Sequence, residues 1–484
     1  MTDAVAAAAR PDENVSIDRD FLAQLDRAET NREHWRILLT SGMGFFTDAY
    51  DLFVIGVVVS ILKNEWAIAS WQKSLVSSLA LLTSAIGAVV FGIVADRLGR
   101  KRIYGYEVLV LAIGAVASAF SPNIYWLLGF RAVLGFGIGG DYPVSATIMS
   151  EYAAKANRGK MVSLVFAMQG AGLVVGPLAA IALLSTGMSH DTVWRVLLGL
   201  GAVPALSVFW LRRRIKETPR FLLAQMEAKE AEQQARETGR LTGLRGAFAD
   251  RRLVRWLIGA SLAWLFFDFV YYGNTIASPL IVKLVAPNAS LTEQTAYTLA
   301  IFAVAAVPGY FVAAWTIDRL GRKFVQLMGF SVMTLAFLLL WLVPGATTSV
   351  LPFLLLFGAT YFFAEFGPNT TTFVYPAEIF PVRVRTTSHG IAAASGKLGA
   401  FVGTYALTSL VDGIGLGRSS AIVAGVSLLG LLATTLLPEP RGRSLEELTE
   451  EPDAAVAYPA SAVTLGVAES RGTRVGAPER GRRA

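Results

Sequence analysis

Twelve apolar stretches recur along the chain, each long enough for a bilayer that takes about 20 residues per helix. They fall near 37–62, 74–95, 103–120, 124–151, 161–186, 192–211, 254–285, 295–317, 324–344, 350–375, 387–411 and 418–437. Residues 1–36 are charged throughout with no apolar run, so they read as a tail and as neither signal peptide nor span. Residues 214–253 are charged and helix-prone, and the chain beyond 438 becomes rich in Ala, Gly and Arg, the composition of a disordered tail. The pattern predicts an all-α membrane protein. Its parts are a tail (1–36), a six-helix bundle (37–213), a connector (214–253), a second six-helix bundle (254–437) and a tail (438–484).

The halves repeat. GIVADRLGRK at 92–101 returns as WTIDRLGRK at 315–323, placing Asp96 and Asp318 222 residues apart. Glu151 and Arg158, after the fourth span, match Glu378 and Arg385, after the tenth, at an offset of 227. Short loops built from Asp96, Arg97 and Arg100, and from Asp318, Arg319 and Arg322, are expected to pair with helix ends and with Glu151, Arg158, Glu378 and Arg385. Together they would latch the cytoplasmic side. Parallel repeats around a long central loop are a layout of transporters whose halves rock about a midplane site.

Composition agrees: 54% hydrophobic residues, 16% charged residues and a mean hydropathy of +0.51 leave too little polar surface to cover a soluble globule. Zero Cys excludes disulfides and thiolate metal ligands. Short cytoplasmic loops retain Lys and Arg. On an inside-start reading the outer connections hold only Lys63, Lys73, Arg195, Lys283 and Arg418, Arg131 and Lys397 lie within spans, and 36 of the 43 bases face the cytoplasm. Both termini are therefore expected in the cytoplasm, with the chain in the inner (cytoplasmic) membrane. The surplus of +7 is a topology signal rather than a nucleic-acid footprint.

At depth lie five acids, Asp48, Asp51, Asp141, Asp268 and Glu365, and two bases, Arg131 and Lys397, net −3 if all are ionised. Such an interior repels an anion unless it binds protons, which couples the two by charge balance. Asp48 and Asp51, three apart, share a helix face. Counting about 1.5 Å per residue brings Arg131 to a similar depth, a plausible proton-handling unit. Trp264, Asp268 and Tyr272 form one stripe on the seventh span. Gln169 and Lys397, 228 apart, are near-equivalent positions of the two halves, and Asn369 lies one turn after Glu365.

The stretch GFGIGGDYPVSATIMSEYAAKANRGK at 135–160 resembles the fourth-helix signature of the phosphate:proton symporters, a family of the major facilitator superfamily. RGRSLEEL at 441–448 is similar to the run after span twelve in sugar-porter-like relatives. The resemblance, over about 37–448, implies twelve transmembrane helices in two pseudo-symmetric bundles that import inorganic phosphate with protons by alternating access, without enzymatic activity, cofactor or metal. It implies a substrate site of Asp141, Tyr142, Gln169, Trp264, Asp268, Tyr272, Asn369 and Lys397, and a proton route through Asp48 and Asp51. Protonated phosphate carries hydroxyl donors that carboxylates can accept, whereas sulfate has acceptors only; arsenate, with the same hydroxyls, is expected to pass. One departure is Glu365, where many relatives carry a neutral amide before FGPN: it is either an extra titrating group or the neutraliser of Lys397.

Other signals are discounted. Gly135, Gly137 and Gly140 form a GxGxxG inside an apolar span, with no strand before it. GIAAASGKL at 390–398 misses a phosphate-binding loop by one residue and by Leu398. His389, at a span end, is expected to be solvated. Alternatives on the same fold are a symporter of an aromatic or other organic acid, or of a sugar; one of another class is a phosphate-sensing receptor that does not transport.

Overall fold

In the computed structural model, residues 19–227 and 249–448 are described. The tail expectations at 1–18 and 449–484, and the connector core at 228–248, lie outside the described residues. The described residues are helical, without strands.

Twelve long helices follow the apolar stretches, generally overrunning them by a few residues. The first half contains Arg32–Glu65, Ser70–Leu98, Arg100–Ala119, Ile124–Tyr152, Arg158–Leu184 and His190–Arg214. The second contains Arg251–Val285, Leu291–Leu320, Arg322–Leu342, Val350–Ile379, Arg385–Ile414 and Leu416–Thr434. Polar caps set several starts: the Asn31, Asn123 and Asp250 side chains each accept from two amides of the turn that follows. Among the described residues, ten helices are long and apolar enough to span a membrane, by length and composition alone. The remaining two, the fourth and eleventh, carry the polar groups that face inward and pack along the second and seventh spans respectively. The chain is a multi-pass membrane protein.

The halves meet along two seams, the second span on the eleventh and the fifth on the eighth. Small residues close the packing inside the second half: a Cβ at Gly399 or Gly403 would run into the backbone of Leu265 or Phe269 on the seventh span. The tenth span breaks at Glu365–Asn369, where Gly367 (φ −104°, ψ −110°) and Pro368, which lacks an N–H, turn the helix into a π-type bulge.

The repeated loops are alike in construction. Gly99 and Gly321 take φ of +99° and +93°, and the turn after each is capped by a distant carboxylate. Glu217 accepts from the Arg100 and Lys101 amides at 3.1 and 3.2 Å, and Glu439 from those of Arg322 and Lys323 at 3.1 and 2.9 Å.

Candidate functional site

At the middle of the bundle, residues from both halves converge. The Tyr142 hydroxyl, on the fourth span, donates to Asp48 of the first at 2.5 Å and lies 3.2 Å from the Tyr272 hydroxyl of the seventh. Lys397 Nζ, on the eleventh, donates to the Tyr142 hydroxyl at 2.9 Å and to that of Tyr272, and lies 3.7 Å from Asp48. It also sits over both tyrosine rings, 4.1 and 4.4 Å from their centroids. Gln169 Nε2 donates to the Tyr142 hydroxyl at 3.1 Å and to Asp48 at 3.3 Å. Its Oε1 accepts from the Tyr310 hydroxyl at 2.9 Å; that hydroxyl in turn accepts from Asn369 Nδ2 at 3.0 Å, and the Asn369 amide also donates to Glu365.

The seventh-span stripe lies against this cluster. Trp264, Asp268 and Tyr272 are all buried. The Trp264 ring fits over Gly396, where a Cβ would strike it, and stands 6.0 Å from the Tyr142 ring. Phe45, Phe166 and Phe373 form an aromatic layer beside Tyr142, with Phe166 and Phe373 stacked at 4.6 Å. His389 is not solvated as expected: it is fully buried, its ring edge-on to Trp264 and Phe373 and its Nε2 3.0 Å from the Phe373 carbonyl. A span end in sequence is here an interior position, because Trp264 of the seventh span and Phe373 of the tenth cover it.

Asp48 and Asp51 share a face but not a partner. Asp51 takes Arg131 at 2.5 Å, while Asp48 faces Lys397 and the tyrosines. A small cavity touches Asp48, Asp51, Arg131, Ser77 and Ser84 between the first, second and fourth spans.

Asp141 is not brought to the cluster. One residue before Tyr142, it points about 100° away round the helix, where Arg212 donates to both its oxygens, at 2.5 and 3.1 Å, and Ser145 adds a third bond. Arg212 also holds Glu107 at 2.9 Å and the Thr40 and Ser41 carbonyls. This is a fully buried ion triad. Sequence reasoning missed Glu107, Arg212 and Tyr310; Arg212 opens an Arg-Arg-Arg run that reads as loop charge, and the VPGYF context of Tyr310 carries no acid or amide to mark it.

The loops expected to form a latch pair across the two halves. Asp96 accepts from the Thr386 and Thr387 amides at 3.3 and 2.6 Å, capping the eleventh span. Asp318 accepts from the Gly159 and Lys160 amides at 3.1 and 2.8 Å, capping the fifth. Each places a carboxylate at the positive end of the other half's helix. Glu151 is held by Arg100 at 3.1 Å and Arg385 at 3.0 Å; Arg322 holds Asp318 at 2.8 Å and Glu378 at 2.7 Å. Two expectations differ from the structure. Arg97 and Arg319 are exposed, each turned off the latch face one residue past its capping acid. Arg158 bonds Asp26 at 2.9 Å, on the N-terminal helix Arg19–Asp26. Among the described residues, no group of three or more His, Asp or Glu is placed to hold a metal.

Comparison with known proteins gives a consistent picture. The profile of the family described as sugar (and other) transporter matches residues 37–451. A probable inorganic phosphate transporter 1-6 of Arabidopsis thaliana is 37% identical over 501 residues, covering 89% of this chain and 96% of that protein. The inorganic phosphate transporter 1-6 of Oryza sativa subsp. japonica is 38% identical over 514 residues, covering 90% and 96%. In fold, the chain is similar to the major facilitator superfamily proton:xylose symporter XylE bound to 6-bromo-6-deoxy-D-glucose, at a TM-score of 0.73 and 20% identity over 86% of this chain and 98% of that one. It also resembles a partially occluded inward-open XylE from E. coli, at a TM-score of 0.67 and 20% identity over 86% and 100%.

Proposed function

The chain belongs to the sugar (and other) transporter family of the major facilitator superfamily, and from that premise we propose that it imports inorganic phosphate together with protons by alternating access. The observation that carries this reading is the cross-half cluster of Lys397, Tyr142, Tyr272, Gln169 and Asp48. A tetrahedral oxyanion needs a cation and several neutral donors, which Lys397, the two tyrosines, Gln169, Asn369 and the Trp264 indole supply. Its own hydroxyls need acceptors, which Asp48 and Asp268 offer. The named relatives carry phosphate in their names, and they are transporters rather than enzymes.

The substrate set we assign is Tyr142, Gln169, Trp264, Asp268, Tyr272, Asn369 and Lys397, with Tyr310 supporting Gln169 and Asn369. Asp48 links this set to the proton route, because protonating it frees Lys397 for the anion. Asp51 and Arg131 form the outer part of that route beside the small cavity. The latch of Asp96, Arg100, Glu151, Asp318, Arg322, Glu378 and Arg385 closes the cytoplasmic side and opens it when broken. Both termini lie in the cytoplasm, the membrane is the inner cell membrane, and residues 37–213 and 254–437 are the two rocking bundles.

Phosphate uptake into proteoliposomes under an imposed acid-outside gradient tests the reading, with sulfate, arsenate, a sugar and benzoate as competitors. Uptake that is blocked by arsenate and spared by sulfate supports it. Phosphate binding without flux overturns it in favour of a receptor, and preferred uptake of xylose or benzoate overturns the substrate.

A further inference from the structure

Away from the helix-end network of Arg100, Glu151, Arg158, Arg220, Arg322, Glu378 and Arg385, the buried charges do not balance. What remains is Asp48, Asp51, Glu107, Asp141, Asp268 and Glu365 against Arg131, Arg212 and Lys397, six acids for three bases. Asp51 has Arg131 to itself, Asp141 and Glu107 share Arg212, and Asp48 holds Lys397 with Asp268 nearby. Glu365 alone stands outside these clusters. The ammonium that could have neutralised it is committed to Asp48 and the two tyrosines.

Its surroundings are polar but uncharged on every side except one. Asn369 donates to Oε2 from its own span. The seventh span presents the Tyr271 hydroxyl and, farther off, Asp268; the eighth presents Tyr310; the first part of the tenth presents Tyr361. The ninth brings the backbone of Gly329 against Gly367 and Pro368 and the Val325 carbonyl against Gly367. Glu365 Oε1 and the Tyr271 hydroxyl, both buried, make no hydrogen bond among the described residues. Such a pocket offers hydroxyl and amide donors to the carboxyl but no base to pair with it.

Tyr310 makes this position audible at the substrate site. Its single hydroxyl hydrogen is given to Gln169 Oε1 of the other half, and Glu365 is the competing acceptor beside it. Ionising Glu365 draws that hydrogen away from Gln169, and Gln169 is bonded to Tyr142 and Asp48.

We propose that Glu365 is a second proton-binding position, loaded from outside and discharged to the cytoplasm in each cycle, and that it reports its charge to the substrate site through Asn369, Tyr310 and Gln169. The proton arrives as a hydrated proton and leaves as one; no other bond changes. The proposal rests on the reading of the chain as a proton-coupled phosphate carrier, and deepens it by adding one charge per phosphate.

The test is the charge moved per phosphate by the full-length protein in proteoliposomes, wild type against Glu365→Gln, with potassium and valinomycin setting the potential. Glutamine keeps the acceptor for Asn369 but cannot ionise. The expected result is retained uptake with one charge fewer per phosphate, so that the accumulation ratio falls roughly fifty-fold at about 100 mV. Glu365→Asn, a shorter neutral amide, should give the same lower ratio. Phosphate exchange at equal pH with loss of net uptake also supports the proposal, since a permanently neutral position cannot discharge. An unchanged charge ratio in both variants overturns it, as does loss of exchange together with uptake. Failure of the wild type to move phosphate would instead fell the underlying transport reading.

Discussion

The Tyr310 hydroxyl of the second half donates to Gln169 Oε1 of the first at 2.9 Å, a buried bond between the two halves. Tyr310→Phe removes one donor and leaves Gln169 Oε1 unsatisfied. A lost bond of this kind is worth about 1–3 kcal/mol, so KM for phosphate should rise several-fold or more while the melting temperature in detergent stays near the wild type. Uptake kinetics alongside thermal unfolding check both halves of the statement.

Arg212 and Asp141 give the opposite signature. Arg212→Leu leaves two carboxylates buried without a counter-charge, a change that costs about 3–5 kcal/mol. Expression and melting temperature should fall steeply. Asp141→Asn, which keeps a carbonyl for Arg212 while Glu107 remains, should be milder and should leave phosphate affinity within a few-fold. Loss of phosphate binding with unaltered stability would return Asp141 to the substrate set.

Asp96→Asn and Asp318→Asn each remove a charged cap worth about 0.3–1 kcal/mol at one helix end. Each should raise the fraction of carriers open to the cytoplasm, and the double variant more than either. Because the chain has no cysteine, single cysteines introduced on the inner walls report opening by alkylation rate without background. Unchanged labelling in the double variant would remove the caps from the latch.

Beyond the twelfth span, Glu446 forms an ion pair with Arg220, which follows the sixth, and this contact has its own pH dependence. Burial opposes its ionisation, but the Arg220 guanidinium beside it, aided by Arg385, holds its carboxyl below the usual glutamate range. A lowered folded value means that this contact stabilises fully above the unfolded value, about 4.3, and is lost only as pH falls through the lower one. Residues 441–448 should therefore remain protected from hydrogen exchange at pH 5 and loosen only in stronger acid. Glu446→Gln should weaken protection at neutral pH and flatten its pH dependence.

The helices were legible because bilayer crossing demands long apolar runs, and hydropathy sees those runs directly; it does not see polar caps such as Asn31 and Asp250, so real helices begin earlier. Depth counted along two helices puts Arg131 level with Asp48 and Asp51 but does not say which of them it meets; in the structure it is Asp51. What sequence could not give was direction round the helix. Asp141 and Tyr142 are neighbours in one motif and face different partners, and Arg97 and Arg319 fail for the same reason beside Asp96 and Asp318. Arg212 shows a second limit: three consecutive arginines look alike, and only packing turns the first inward. The contact of Asp26 with Arg158 and Arg220 joins segments more than a hundred residues apart, with no repeat to announce it.

The reciprocal caps at Thr387 and Lys160 have a consequence for the polypeptide's continuity. Each bundle lends the other what it lacks, an acid in one direction and an unsatisfied helix start in return. A carrier severed within 228–248 and produced as two fragments should reassemble, with neither fragment working alone, because recognition is written into the facing surfaces.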